Sequence, residues 1–299
     1  MEVFITGKVS RLALPALIGG AVGIAFAPIF VRLSQVGPTA TAFWRLALAL
    51  PLLWMWASLR VRKDERPRRP STRIEYALLI AAGLFFAGDL GIWHWSIHYT
   101  SVANATLLVN FMPIFVTIGA WLLLDQRVSR IFLAGLGAAM LGATLIIGTS
   151  FRLSLQSLRG DLLALLAALF YAGYILTVTR LRRDFSVATI LIWAGVVACA
   201  VLLPLSLVSG ERFLPYEVRG WLVLIALALV SHIGGQGLIA FALAHLPAAF
   251  SSVSLLLQPV LATLFAWVLL DELLGPWQAL GGALVLLGIL IARRESHTG

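Results

Sequence analysis

The sequence predicts an all-α integral membrane protein, with ten transmembrane helices arranged as two inverted five-helix repeats. Three observations predict it: too few charges to cover a water-facing surface, apolar runs of membrane-spanning length, and an internal repeat whose unit holds an odd number of spans.

Hydrophobic residues make up 61% of the 299 residues and charged residues only 12%, where a soluble domain carries about 25% charged. The apolar residues fall into runs of about 20, the length a helix needs to cross a hydrocarbon core of about 30 Å. A net charge of +9 raises the question of nucleic acid, which basic patches bind. The basic residues instead cluster at the ends of apolar runs, where lipid headgroups meet them, so the expected partners are membrane lipid and a small-molecule substrate, not nucleic acid. The single cysteine, Cys199, lies within an apolar run and offers neither a disulfide framework nor a thiolate metal site.

Breaks in charge, Gly and Pro place helices near 11–33, 38–58, 74–97, 101–124, 129–148, 160–181, 186–208, 217–243, 247–269 and 276–293. Lys8 and Arg11 ahead of an apolar stretch ending in Ala25-Phe26-Ala27 resemble a signal peptide. Removing that stretch would leave an odd number of spans, so the reading keeps it as the first helix. Short cytoplasmic loops carry an excess of Lys and Arg. Sixteen of the 22 basic residues fall on the side of the two termini and five on the other, with Arg45 left inside a helix. The expectation is a multi-pass protein of the cell inner (plasma) membrane with both termini cytoplasmic.

Sliding the chain by 146 positions aligns 103–142 with 249–288 without a gap, with eleven identities. Pro113 matches Pro259, Thr117 matches Thr263, Trp121 matches Trp267, and Asp125 matches Asp271. Gly135 matches Gly281 and Gly142 matches Gly288. Tandem copies of a five-span unit must enter the membrane in opposite senses, so residues 1–150 and 151–299 are expected to be inverted halves. Such halves recur in carriers that expose a midplane site alternately to each side. The glycines mark close helix contacts, read as packing between the halves of a monomer, with a dimer face as the alternative.

The stretch Leu255-Leu-Leu-Gln-Pro-Val-Leu-Ala-Thr-Leu-Phe-Ala-Trp-Val-Leu-Leu-Asp-Glu, continued by Trp277-Gln-Ala-Leu-Gly-Gly-Ala-Leu-Val-Leu-Leu-Gly, resembles the ninth and tenth helices of the drug/metabolite transporter superfamily, EamA-type ten-helix exporters. The family's acidic residue at the helix exit falls on Glu272, but its counterpart in the first half is Gln126. The resemblance implies an inner-membrane carrier, an exporter of amino acids or related metabolites, with the aromatic-amino-acid exporters as one such group.

Ionisable and polar groups inside membrane helices are costly and mark pathways. Arg45 sits about 10 Å and Asp89 about 12 Å inward from the same face, at 1.5 Å per residue. Equal depth suggests mutual neutralisation, or else a role in binding a substrate carboxylate or coupling protons. His232, Tyr171, Tyr174, Asn110 and Gln258 all fall near the membrane centre and are expected to line the pathway with Gln236. For His232 and Gln236, interhelical packing is the competing account. Pro28, Pro113 and Pro259 each remove a backbone donor inside a span and are candidate hinges, or simple kinks. Ser251, Ser252 and Ser254 are expected to bond back to carbonyls of their own helix. Trp44 and Trp193 fall within spans, where aromatic faces suit amphipathic ligands such as aromatic or aliphatic amino acids. His94 and His98 share a helical face but lie near the interface beside aromatic residues, so they read as a belt anchor and not as metal ligands.

No nucleotide-binding loop, nucleophile motif or metal cluster is recognisable, so no enzyme activity, cofactor or metal is expected. The expected function is a secondary transporter, an exporter of amino acids or similar small metabolites working by alternating access through a central cavity. The alternatives are a flippase for lipids or lipid-linked intermediates, or an intramembrane enzyme using His232 or Asp89 as base.

Overall fold

The computed structural model describes residues 2–61, 68–100, 102–148, 157–270 and 275–295. Every regular element among them is helical. Ten helices are long and apolar enough to cross a membrane: α1 (Leu12–Leu33), α2 (Pro38–Leu59), α3 (Arg73–Trp93), α4 (Ala105–Leu124), α5 (Arg130–Gly148), α6 (Leu158–Leu181), α7 (Val187–Val208), α8 (Val218–Ala242), α9 (Ala248–Phe265) and α10 (Pro276–Arg294). Large apolar side chains such as Trp54, Leu123, Val208 and Leu290 point outward, which suits a lipid-facing surface.

Proline chemistry accounts for four breaks within spans. A proline lacks the N–H that would bond the carbonyl four residues back, and its ring crowds that carbonyl. Helical segments accordingly end three to five residues ahead of a proline, at Ala25 before Pro28, at Ala47 before Pro51, at Val109 before Pro113 and at Ser254 before Pro259. The breaks in α4 and α9 occupy matching places in the internal repeat. Both new segments are tied in the same way, Thr117 Oγ1 donating to the Pro113 carbonyl at 2.7 Å and Thr263 Oγ1 to the Pro259 carbonyl at 2.9 Å. The repeated Asp also has a local role in the first half: Asp125 closes α4 in the left-handed region, φ 54°, which short polar side chains tolerate better than most.

The halves pack crosswise. α1 lies against α8 and α3 against α6, which are equivalent pairs when the halves are exchanged, while α2 meets α7, α4 meets α9 and α5 meets α10. The α5–α10 seam uses the repeated glycines. A Cβ on Gly135 would lie 2.7 Å from the Gly288 carbonyl oxygen, and one on Gly142 2.5 Å from that of Gly281. The glycine stripes therefore join the two halves of one chain.

Each face is fastened between halves. Near the start of α3, Arg68 donates to Asp184 in the α6–α7 turn at 2.7 Å and also pairs with Glu75. On the opposite face the start of α2 is held by the α7–α8 loop. The Gly37 N–H donates to the Arg212 carbonyl at 2.9 Å, the Thr39 N–H to Glu211 at 3.0 Å and Trp44 Nε1 to the Phe213 carbonyl at 2.8 Å.

Candidate substrate site between the two halves

The middle of α8 is not an α-helix. Residues Leu227–Gln236 wind as a π-helix, a form found mostly in short pieces and frequently at functional sites. This wider winding carries Ser231, His232 and Gln236, all buried. Its glycines let α1 close in: a Cβ on Gly23 would lie 3.0 Å from the Gly235 Cα, and Ser231 Oγ donates to the Gly23 carbonyl at 2.8 Å.

Against this stretch the fold gathers most of the polar residues picked out along the chain. Arg45 on α2 and Asp89 on α3 are buried to 8% and 9% exposure, and Tyr171 and Tyr174 on α6 to 9% and 1%. Gln258 is partly buried at the α9 break. Arg45 lies within electrostatic reach of Asp89, Tyr171, Tyr174 and His232, and Tyr171 lies within reach of the amides of Gln236 and Gln258. The seven residues thus form one connected cluster contributed by α2, α3, α6, α8 and α9, across both halves.

Arg45 and Asp89 are neighbours in this cluster but form no direct ion pair within 4.0 Å. The guanidinium instead reaches toward the π-helix, where Nη2 donates to the Ser231 carbonyl at 3.5 Å. The two side chains therefore lie near each other without pairing.

Asn110 behaves differently. Its amide donates to the Thr106 carbonyl of its own helix at 2.8 Å, which occupies it at the α4 break. Trp44 packs with Phe43, Phe213 and Trp221 at one face, and Trp193 meets the exposed Tyr76 edge-on at 5.6 Å. Neither tryptophan joins the cluster. Ser252 and Ser254 bond back to Ala249 and Phe250, whereas Ser251 Oγ has no partner. The side chains of His94 and His98 and the whole of Glu272 lie outside the described residues.

What marks the cluster is unmet hydrogen bonding. Arg45 Nε, Tyr174 Oη, both ring nitrogens of His232, Gln236 Oε1 and Gln258 Nε2 are buried with no protein partner. Native interiors leave few such groups, because each costs about 1–3 kcal/mol if unsatisfied. Six such atoms gather in this one cluster. Phe86 is the member that sequence reasoning missed: it stacks on Tyr174 at 4.7 Å and on His232 at 5.7 Å between centroids. A phenylalanine in an apolar helix carries no signal of this kind. The π-helix was signalled only by the paired glycines at 234 and 235.

A model of the EamA-like transporter family matches residues 11–148 and, a second time, residues 158–294. The chain belongs to the EamA-like transporter family. Each of the two EamA matches covers a block of five spans. A relative in Archaeoglobus fulgidus, named only as a transporter, is 24% identical over 277 residues, covering 90% of this chain and 93% of that protein. A protein of Streptantibioticus cattleyicolor named as a probable terminal-alkyne amino-acid exporter is 28% identical over 276 residues, 91% of this chain and 89% of its own length. The pseudopaline exporter of Pseudomonas aeruginosa is 26% identical over 217 residues, 73% of this chain and 75% of that one. A solved crystal structure superposes with a TM-score of 0.78 over 97% of this chain and 98% of its own at 17% identity, a likeness of fold alone. With ten apolar spans and two EamA repeats, the protein is a multi-pass membrane transporter and not an enzyme.

Proposed function

We propose that this EamA-family transporter exports amino acids or similar small metabolites across the bacterial inner membrane by alternating access. Both termini are cytoplasmic in this reading, and residues 1–150 and 151–299 are the units that rock against each other. The observation that carries it is the set of buried, unpartnered polar atoms between the halves. A carrier needs a polar site at the joint of its moving parts, whereas a purely structural interface would satisfy those atoms internally.

Arg45 and Asp89 divide the work of holding a zwitterion: the guanidinium faces the carboxylate and Asp89 the ammonium group. A ligand lying between them completes a charge arrangement that the protein leaves open. Tyr171, Tyr174, His232, Gln236 and Gln258 complete the lining. Pro28, Pro113 and Pro259 act as hinges, because their segments already lack continuous helical hydrogen bonding and bend at low cost. Exporters among the relatives, one of them named for an amino acid, agree with this direction and class.

The test is counterflow of radiolabelled amino acids in proteoliposomes of the purified protein, with each of the twenty as competitor, run with and without a pH gradient. Saturable, competable flux is expected. Flux rising linearly with concentration would make the protein a channel, and movement of labelled lipid without amino-acid flux would make it a flippase.

A further inference from the structure

The cluster's aromatic rings have their faces covered by one another. Phe86 is 1% exposed and stacks on Tyr174 and His232 with interplanar angles of 23° and 22°. Tyr171 lies nearly parallel to Tyr174, at 13° and 6.3 Å. Tyr174 and His232 are each 1% exposed and Tyr171 is 9% exposed, so little ring face is left at which a substrate ring can stack. The two tryptophans within spans that might have offered one, Trp44 and Trp193, pack elsewhere. What is left over is polar and sits at ring edges and amide ends: the Tyr174 hydroxyl, both His232 nitrogens, Gln236 Oε1 and Gln258 Nε2.

These leftovers contain more capacity than one α-amino-acid backbone uses. Arg45 and Asp89, from α2 and α3, suffice for its carboxylate and ammonium groups. The remaining groups sit on α6, α8 and α9 and include a donor in Gln258, an acceptor in Gln236 and groups of either kind in Tyr174 and His232. Their natural complement is a second head that both donates and accepts. Resting on the export reading above, we propose that the site selects amino-acid-like substrates with a carboxamide side-chain head, which both donates and accepts, and rejects those with aromatic or aliphatic side chains. Buried groups built for hydrogen bonds discriminate strongly against analogues that lack the matching group, because binding such an analogue strands them without water.

The test compares radiolabelled glutamine with radiolabelled phenylalanine in counterflow by the same proteoliposomes, with thermal stabilisation of the detergent-solubilised protein by each amino acid as a second readout. Glutamine and asparagine are expected to outcompete phenylalanine, tryptophan and leucine by about tenfold or more, and to stabilise the protein more. Gln258→Leu should then lower glutamine flux about tenfold while leaving or raising leucine flux, which loss of a structural contact would not do. Phenylalanine or tryptophan competing as well as glutamine would overturn this inference and leave the amino-acid carrier standing. Equal loss of all substrates in Gln258→Leu would also count against it. Absence of competition by any amino acid would remove the parent reading and this one together.

Discussion

Gly142 and Gly281 face each other across the seam between the two halves, each so close that an added Cβ would lie 2.5–2.6 Å from the other's carbonyl oxygen. In the repeat Gly142 matches Gly288 and Gly135 matches Gly281, so the two glycine stripes meet in opposite order, Gly142 on Gly281 and Gly135 on Gly288. Replacing Gly142 or Gly281 with leucine should destabilise the fold by about 1–3 kcal/mol through overpacking. Gly137, one helical face away with nothing within 4 Å of its would-be Cβ, should accept alanine without loss. Thermal unfolding in detergent separates the three variants; equal behaviour of Gly142→Leu and Gly137→Ala would contradict the seam.

The fastenings on the two faces should differ in strength. Arg68 and Asp184 have side chains 49% and 44% exposed, and exposed pairs contribute about 0–1 kcal/mol, less in salt. Glu211 instead caps a helix that has no side-chain cap of its own, accepting from the Thr39 N–H at the start of α2. Glu211→Ala should therefore cost about 1–2 kcal/mol, as loss of an N-cap does. Asp184→Ala should cost less, and its effect should fade in high salt. Chemical denaturation at low and high ionic strength checks the order.

The helix breaks predict a separation of stability from turnover. In Pro113→Ala and Pro259→Ala the missing backbone donor returns, and the segments can join into continuous helices. Both variants should keep or gain thermal stability yet transport several-fold more slowly, because the bend that accommodates rocking is lost. Transport at wild-type rates in both would remove the hinge role.

His245, in the turn between α8 and α9, lies outside the spans. Partial burial, and after it the positive charge of Arg182, hold its pKa below the ordinary 6.5. The folded state thus binds this proton less readily than the unfolded chain. Stability should be full above about pH 6.5 and decline as pH falls toward the lowered value. His245→Gln should flatten that decline, measured as unfolding temperature across pH 5–8. The effect is small because the ring is exposed.

Much of the fold was legible along the chain. Span length, the odd-numbered repeat, the glycine seam and the prolines are properties of composition and local covalent geometry, and the ten spans, the Gly142–Gly281 contact and the breaks before Pro28, Pro113 and Pro259 follow them closely. Depth counting brought Arg45, Asp89, Tyr171, Tyr174, His232, Gln236 and Gln258 to the same level in the membrane. It could not tell which of them meet. Asn110, at the same level, bonds to its own helix, and Trp44 and Trp193 turn to other neighbours.

The sequence by itself determined that this protein crosses a membrane ten times as two inverted copies, because hydrophobic length and parity need no knowledge of contacts. Tertiary structure alone decided that Arg45 reaches Ser231, 186 residues away, without pairing with Asp89, and that Phe86 covers the rings of Tyr174 and His232. Those choices depend on through-space packing of helices from both halves, and they fix which polar atoms are left for a ligand.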